Sequence, residues 1–383
     1  MNRDQSAAPG SRFLVAAVAV LLVAGCSSTG ATLAPATAGP TAAVTTAAPS
    51  PTGPLGETVV SKEPASVSDD WVKWSTTSCS YEPATDHPAT WTANLRKATG
   101  LLLGHMEQSE DNDLNLAKNN SVKEAAAMAD FELLQVNGKY PDKAAFVTAA
   151  QNIATRKPAA VIEDNPAADV APQLNDIYKA ACIPFVQLSL ATEGAITFGA
   201  SNDDIGLKEG TFLVDVAKKN GWSGADIVAV GTTVSALGPI NNRPDGCGKY
   251  ITDNLPGSTY EQLPLTKGTT DEVTTVMTNW LTGHPDAKYI LGCVISGLQS
   301  AGIDNALLAA GRNTNAAVMN VGATQKSLDA LPDTSAIVGS VDQGFANPNG
   351  GYALFALAMA EDAIIGAPVP VFVYTPLQVL SAP

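Results

Sequence analysis

The sequence predicts an α/β protein made of two doubly wound parallel-sheet lobes joined by a hinge. From residue 98 onwards, short apolar runs alternate with helical segments of about ten to fifteen residues, which is typical of βαβ units and parallel sheets. About ten strands are expected, more than one compact open sheet usually carries. Gly238 and Pro239 interrupt the alternation within residues 232–242, so we divide the strands into two lobes there.

Local signals support each element. Each predicted strand is a short apolar run that suits a buried parallel strand. Pro141 and Pro166 stand where two helices begin, because proline is tolerated in a first turn, and Asn120 or Ser121 suits the cap of another. The predicted strands are 101–105, 131–136, 159–162, 184–188, 196–198, 227–230, 260–265, 289–294, 317–321 and 337–341. The predicted helices are 120–128, 141–154, 166–181, 205–219, 246–254, 270–281, 298–310, 325–331 and 350–365.

The N-terminus has the pattern of an export signal. Arg3 and Arg12 accompany an apolar run at residues 13–23, and small residues lead into Cys26. This is typical of a signal peptide, and the run is too short to span a bilayer as a permanent helix. The position of Cys26 resembles the lipobox of bacterial lipoproteins, in which cleavage leaves this cysteine as the lipid-bearing N-terminus. The alternative is an ordinary secreted protein with a chance cysteine at the cleavage site.

The composition divides the chain into further segments. Residues 1–26 are the predicted lipoprotein signal peptide, and residues 27–57, rich in Ala, Thr and Pro, form a disordered tether because they hold too little apolar surface to fold. We expect an N-terminal extension at 58–97, an N-terminal lobe at 98–232 and a C-terminal lobe at 233–368. The last segment, 369–383, is expected to return to the hinge. The protein should be extracytoplasmic and anchored to the cell membrane.

Charge and cysteine content exclude several classes of function. With 22 basic and 37 acidic residues, the formal net charge is −15, so nucleic acid is not an expected partner. Four cysteines in an exported chain suggest disulfides, but Cys79, Cys182, Cys247 and Cys293 allow three pairings between which the sequence does not choose. No two of them form a CxxC motif, and the chain has three histidines. We therefore predict no metal site and no cofactor.

Several local stretches resemble the type I periplasmic binding proteins, in particular the sugar-binding, ribose-binding-protein-like branch. Each is weak alone, but their order and spacing are specific, and the resemblance covers residues 98–380. The stretches are Pro158–Ile162, Ala181–Val186, Ser201–Gly206, Arg243–Gly246, Val341–Gln343, Asn347-Pro348 and Gly351–Ala353.

The resemblance implies a solute-binding protein of an ABC transporter. Such a protein captures a sugar or another small polar ligand between its lobes and delivers it to an ABC permease, and we expect it to be monomeric. The same receptor could instead present its closed form to a membrane sensor, and nothing in the sequence separates these roles. A secreted hydrolase is the less favoured alternative, since no GxSxG, GxxxxGK[ST] or HExxH motif occurs. We therefore expect that the protein is not an enzyme.

The candidate ligand-binding residues stand where predicted strands end, because ligands of open α/β sheets bind outside the carboxyl ends of the strands. Amide, carboxylate and guanidinium groups suit hydroxyl-rich ligands. The candidates in the N-terminal lobe are His105, Glu107, Gln108, Glu163, Asp164 and Ser189, and those in the C-terminal lobe are Arg243, Ser296, Thr324, Asp342 and Gln343.

The sequence departs from its sugar-binding relatives at three strand ends. They usually carry Asp-Arg where this chain has Ser189-Leu190, Asn-Asp where it has Ile295-Ser296, and an aspartate near Ala323-Thr324. The pair of carboxylates that usually holds sugar hydroxyls is therefore missing. A sugar or polyol is still favoured, with an amino-acid derivative or another small metabolite as the alternative.

Structural roles compete with several of these assignments. Arg243 could simply pair with Asp245, and His105 at a strand end is more often a hydrogen-bonded structural histidine. Glu163 and Asp164 could favour the dipole of the helix that follows Pro166. Asp342 suits a hinge or a helix cap, and the tryptophans of the extension suit packing better than ligand stacking.

Overall fold

The computed structural model of the protein describes residues 55–109, 113–140, 142–188, 190–344 and 351–383. The predicted signal peptide, Cys26 and Ser189 lie outside these residues. Among the described residues, no helix is both long and apolar enough to cross a membrane. The strands are β1 (Thr58–Lys62), β2 (Ser66–Val67), β3 (Trp71–Ser75), β4 (Ser80–Pro83), β5 (Ala93–Arg96), β6 (Leu102–Glu107), β7 (Glu132–Asn137), β8 (Ala160–Glu163), β9 (Phe185–Leu188), β10 (Ile196–Gly199), β11 (Ile227–Val234), β12 (Thr259–Leu265), β13 (Tyr289–Cys293), β14 (Ala316–Val321), β15 (Ile337–Asp342), β16 (Val369–Pro370), β17 (Phe372–Tyr374) and β18 (Gln378–Ser381).

Helices cover the two larger sheets. The helices are α1 (Asp113–Met128), α2 (Lys143–Thr155), α3 (Ala171–Ala180), α4 (Asn202–Lys219), α5 (Asn242–Asn254), α6 (Thr270–Gly283), α7 (Gly297–Ala309), α8 (Gln325–Asp329) and α9 (Gly351–Ile364). The start of α1 precedes the predicted cap at Asn120 or Ser121 by about two turns, and the Ser121 hydroxyl instead accepts from the N–H of Ala353, at 2.9 Å.

Two sheets with the same internal strand order form the two lobes. The first lobe contains the sheet β2-β17-β10-β9-β8-β6-β7, and the second contains β12-β11-β13-β14-β15-β18. Counted along the chain, the parallel strands β6 to β10 of the first sheet and β11 to β15 of the second follow the order 2-1-3-4-5. This doubly wound order has its switch point between the first and third strands. The predicted fold class, two doubly wound lobes, is confirmed.

The chain divides between the lobes differently from the predicted boundary at residues 232 and 233. Helix α4 and strand β11, which we assigned to the N-terminal lobe, bury Leu213 and Val230 in the core of the second lobe. Helix α9, which we assigned to the C-terminal lobe, lies in the core of the first, where Phe355 stacks on Phe198 at 5.6 Å between ring centroids. Periodicity shows which face of a helix is apolar, but not which sheet covers it.

Three connections therefore join the lobes. They run from β10 to α4, from β15 to α9, and from β17 to β18. Strand β17 lies between β10, to which it is parallel, and β2 in the first sheet, whereas β18 is antiparallel to β15 at the edge of the second. The C-terminal segment thus contributes one strand to each lobe.

The extension at residues 58–97 is an integral part of the first lobe. Strands β1 and β5 pair with each other, and β3 lies between β4 and β16 in a three-stranded sheet. Trp71, Trp74 and Trp91 are buried in the core of the first lobe, so they pack rather than face a ligand.

Each lobe has one disulfide, which selects one of the three possible pairings. Cys79 bonds to Cys182, 103 residues away, and fastens the extension to the loop before β9. Cys247 bonds to Cys293 across 46 residues and fastens α5 to the end of β13.

Candidate ligand-binding cleft

A cleft of about 310 Å³ lies where the strands of both sheets end. Residues that follow β6, β8, β13, β14 and β15 all contribute to its wall, as expected for ligand sites at the carboxyl ends of parallel strands. The lining residues are Gln108, Leu114, Asn115, Lys118, Tyr140 and Pro166 from the first lobe, and Leu237, Ile240, Arg243, Lys267, Gly268, Ile295, Ser296, Gly297, Leu298, Gln299, Asn320, Val321, Gly322, Ala323, Ser327 and Gln343 from the second lobe and the hinge.

The first turns of α1 form much of the first lobe's wall. Lys118 points its ammonium at both carboxylate oxygens of Asp164, at 3.0 and 3.1 Å. Asp164 lies behind the wall with its side chain 1% exposed, so the predicted ligand contact is instead the counter-ion of Lys118. Leu114 reaches across the cleft and packs against Gly322 of the second lobe. A Cβ atom added at Gly322 would lie 3.0 Å from the Cδ1 atom of Leu114.

Arg243 is the buried cation of the second lobe's wall. It lies in the first turn of α5, where its Nε donates to the side chain of Asn202 and one Nη donates to the carbonyl of Ile295, both at 2.8 Å. Burial lowers its pKa to about 10, against the opposing effect of the nearby Glu209, so the guanidinium remains charged at neutral pH. Asp245, the alternative partner, instead accepts from Tyr260 and Gln262.

Amide and hydroxyl groups surround Arg243. Ser296, which precedes α7, donates to the Oε1 atom of Gln299 at 2.8 Å, and the Gln299 amide lies 3.3 Å from the carbonyl of Gly268. Asn320 donates to Ser300 at 3.0 Å. Its Oδ1 atom is buried and has no hydrogen-bond partner among the described residues.

The neighbouring candidates Gln343 and Asp342 differ in position. Gln343 is buried and lines the cleft, and its backbone carbonyl accepts from the hydroxyl of Thr375 at 2.8 Å. Asp342 is not part of the lining, and its carboxylate accepts from Gln378 of β18 at 3.0 Å. The Asp342 side chain therefore joins β15 to β18 of the second sheet.

Three further candidates of the first lobe lie inside the sheet rather than in the cleft wall. Buried His105 has Nδ1 3.1 Å from the carbonyl of Ile162, and burial lowers its pKa, so it is a neutral structural histidine. Glu107 accepts from Gln135 at 2.8 Å. Glu163 accepts from Gln187, and burial raises its pKa to about 8. Glu163 pairs with Met106 in the sheet, so His105 and Glu107 project from one face of the sheet and Glu163 from the other, and none of the three lines the cleft.

Thr324 is a helix cap rather than a cleft residue. Its hydroxyl accepts from the backbone N–H of Ser327 at 3.2 Å, at the start of α8. The sequence reasoning identified the strand end correctly, but a threonine at the N-cap of a helix often uses its hydroxyl to accept from a backbone N–H of that helix.

Sequence reasoning missed seven polar lining residues, two of which, Gln299 and Ser327, lie in the first turns of α7 and α8. Asn115 and Lys118 were missed because we started α1 too late, although the helix that follows a first strand faces the same edge as the strand ends. Tyr140 follows the Asn137-Gly138 turn, Lys267 lies in the loop before α6, and Asn320 precedes the last residue of β14. No motif marks these three residues.

No model of a protein family matches the sequence, and no curated protein matches it significantly. Solved structures do match. An ABC sugar transporter subunit from Rhodobacter sphaeroides 2.4.1 is 22% identical with a TM-score of 0.60, over 74% of this chain and 98% of that chain. An ABC transporter solute-binding protein from Mycobacterium smegmatis with bound glycerol is 19% identical with a TM-score of 0.63, over 74% and 94%. One from Actinobacillus succinogenes 130z with bound D-allose is 18% identical with a TM-score of 0.62, over 74% and 98%.

These similarities establish the fold. The chain has the two-lobed fold of ABC-transporter solute-binding proteins, which is the fold that the sequence resemblance implied. The matches cover about three quarters of this chain.

Proposed function

We propose that the protein is an extracytoplasmic solute-binding protein of an ABC transporter, and that it binds a sugar or another small polyhydroxylated solute in the cleft. The observation that carries the proposal is the cleft itself, in which the switch-point edges of two similar sheets face each other and both contribute polar side chains. Proteins of the same fold were solved with glycerol, D-allose and myo-inositol bound.

Binding requires contacts from both lobes. Amides such as Gln299, Asn320 and Gln343 both donate and accept, which matches solute hydroxyls, while Tyr140 and Leu298 offer apolar surface to C–H groups. A solute held by both lobes favours the closed arrangement of the hinge over the open one. A membrane partner, here an ABC permease, then distinguishes loaded from empty protein.

The described residues of the cleft wall do not form a recognisable catalytic group. These described residues include no carboxylate pair and no histidine, so we propose capture without turnover. We further propose that Cys26 carries the lipid and that residues 27–57 serve as the tether. Mass spectrometry of the mature chain tests the anchor: a diacylglyceryl mass on Cys26 is expected, and an unmodified N-terminus elsewhere contradicts it.

Ligand screening tests the main proposal. The purified chain is screened by thermal shift against sugars, polyols and amino acids, because a solute that binds the folded state alone raises the melting temperature. Hits are confirmed by calorimetry. We expect a sugar or polyol to bind, with a decrease in the radius of gyration in solution scattering. Turnover of a glycoside, ester or peptide that survives repurification would contradict the proposal.

A further inference from the structure

The cleft wall is positively charged, although the chain as a whole is strongly acidic. Lys118, Arg243 and Lys267 line the cleft, and no aspartate or glutamate occurs among its described lining residues. The formal net charge of the chain is −15. A concave site lined by one sign of charge concentrates ligands of the opposite sign. The positive charge of the cleft wall therefore favours a negatively charged ligand.

The three cations differ in how far the protein neutralises them. Lys118 has a full counter-ion in Asp164, at 3.0 Å and buried. Arg243 donates to the neutral acceptors of Asn202 and Ile295, and no carboxylate of the described residues lies within ion-pair distance of its guanidinium.

The acid nearest in effect to Arg243 is Glu209, which forms no ion pair with it among the described residues. Burial raises the pKa of Glu209 well above its usual range, despite a hydrogen bond from the backbone N–H of Val294. Lys267 is exposed and forms no ion pair within the described part of the chain. Its neighbour Glu272 accepts from the backbone N–H groups of residues 266–268. Arg243 and Lys267 therefore face the cleft without an ion-paired carboxylate among the described residues.

We propose that the solute carries an anionic group, a carboxylate or a phosphate, on its polyhydroxylated body. Arg243 and Lys267 bind the anion, and the amides of the wall bind the hydroxyls. The inference rests on the proposed function and narrows its class of ligand. It also agrees with the missing carboxylates at the strand ends, since an acid in the wall would repel such a ligand.

Matched ligands test the inference on the purified full chain. Calorimetry compares each neutral sugar with its uronic or aldonic acid and its sugar phosphate, for glucose, galactose, mannose and ribose. We expect an acid or a phosphate to bind roughly tenfold more tightly than the neutral sugar, because charge-assisted hydrogen bonds are about twice as strong as neutral ones. Comparison of the sugar acids with the sugar phosphates shows whether the site prefers a carboxylate or a phosphate. Affinity should fall as salt rises.

Variants test the assigned cations. Lys267→Met should weaken binding of the charged ligand roughly threefold to tenfold and change its salt dependence, since Lys267 is exposed and its loss spares the fold. Lys249→Met is the control, because Lys249 lies on α5 outside the cleft and is 75% exposed. The double variant Lys118→Met/Asp164→Asn removes a buried pair without leaving one charge alone.

The outcomes separate the two proposals. Tight binding of a neutral sugar, with its charged forms equal or weaker, overturns the anion inference and leaves solute capture intact. Equal effects of Lys267→Met and Lys249→Met also overturn it. Failure of every neutral and charged member of the panel to bind overturns the proposed function and the inference together.

Discussion

The two lobes share a strand order but place different chemistry at their switch points. In the first lobe, the side chains at the ends of β6 and β8 are buried and hydrogen-bonded to neighbouring strands of the sheet, as His105 and Glu163 illustrate. In the second lobe, the corresponding edge presents Arg243, Ser296 and Asn320 to the cleft. The first lobe adds Asn115 and Lys118 from helix α1 to Gln108, the residue that follows β6. Topology thus fixes where a site lies, but not which elements supply its side chains.

The largest effect should come from the disulfides. In the chain-entropy model, loss of the Cys79–Cys182 bond should cost about 5 kcal/mol of unfolding free energy and loss of the Cys247–Cys293 bond about 4 kcal/mol, because the first closes the longer loop. Paired Cys→Ala variants and denaturant unfolding measure both.

The two disulfides should also differ in their effect on binding. Cys247 lies one turn after Arg243, and Cys293 lies two residues before the carbonyl that Arg243 contacts. Removal of this bond should therefore weaken ligand binding, whereas removal of the first should not. Equal affinities of the two variants would contradict this difference.

Loss of the buried arginine should have the next largest effect. Arg243→Ala should weaken binding of the best ligand roughly 100-fold, because it removes charge-assisted hydrogen bonds at the centre of the site. Gln343→Ala should weaken it roughly tenfold. Calorimetry measures both, and Lys249→Ala is the control. If both variants bind as tightly as the unchanged protein, the site assignment is wrong.

The first lobe should also make stability depend on pH. The folded pKa of Glu163, about 8, lies above the ordinary value of 4.5, so the folded state keeps a proton that the unfolded state releases. This contribution is fully present below the ordinary pKa and is lost as pH rises through about 8. Unfolding free energy should therefore fall by on the order of 2 kcal/mol between about pH 5 and about pH 7.

Glu163→Gln isolates this effect, since the amide still accepts from Gln187 and does not titrate. The variant should show a flatter dependence of unfolding free energy on pH, with its advantage over the unchanged protein growing towards pH 8. Asp226→Asn, at a partly exposed ion pair with Lys288 in the second lobe, is the control. An unchanged pH profile in Glu163→Gln would contradict the assignment.

The smallest effect concerns a helix cap in the second lobe. Thr324→Ala should cost about 1 kcal/mol of unfolding free energy through loss of the cap on α8. It should leave ligand affinity unchanged, because Thr324 does not line the cleft. A loss of affinity without a loss of stability would restore Thr324 as a ligand contact.

Part of the candidate site followed from the sequence. Arg243, Ser296, Gln343 and Gln108 were predicted and line the cleft, because strand ends are recognisable from where an apolar run stops. Which side chain of a strand end faces the cleft depends on the alternation of the strand and on what covers each face, so Glu163 was predicted and lies inside. The disulfide pairing could not be predicted from the sequence either, because the spacing of cysteines along the chain does not show which of them lie close together in the fold.

Alternating apolar runs and helical segments determined the fold class by themselves, because the period of burial is a local property of the chain. Only the tertiary structure decided that α4 and α9 each pack in the lobe opposite to the predicted one. Only it decided that Lys118 faces the cleft with Asp164 behind it. Both depend on which surfaces meet across long sequence separations, and a pattern of residues along one segment carries no information about its distant partner.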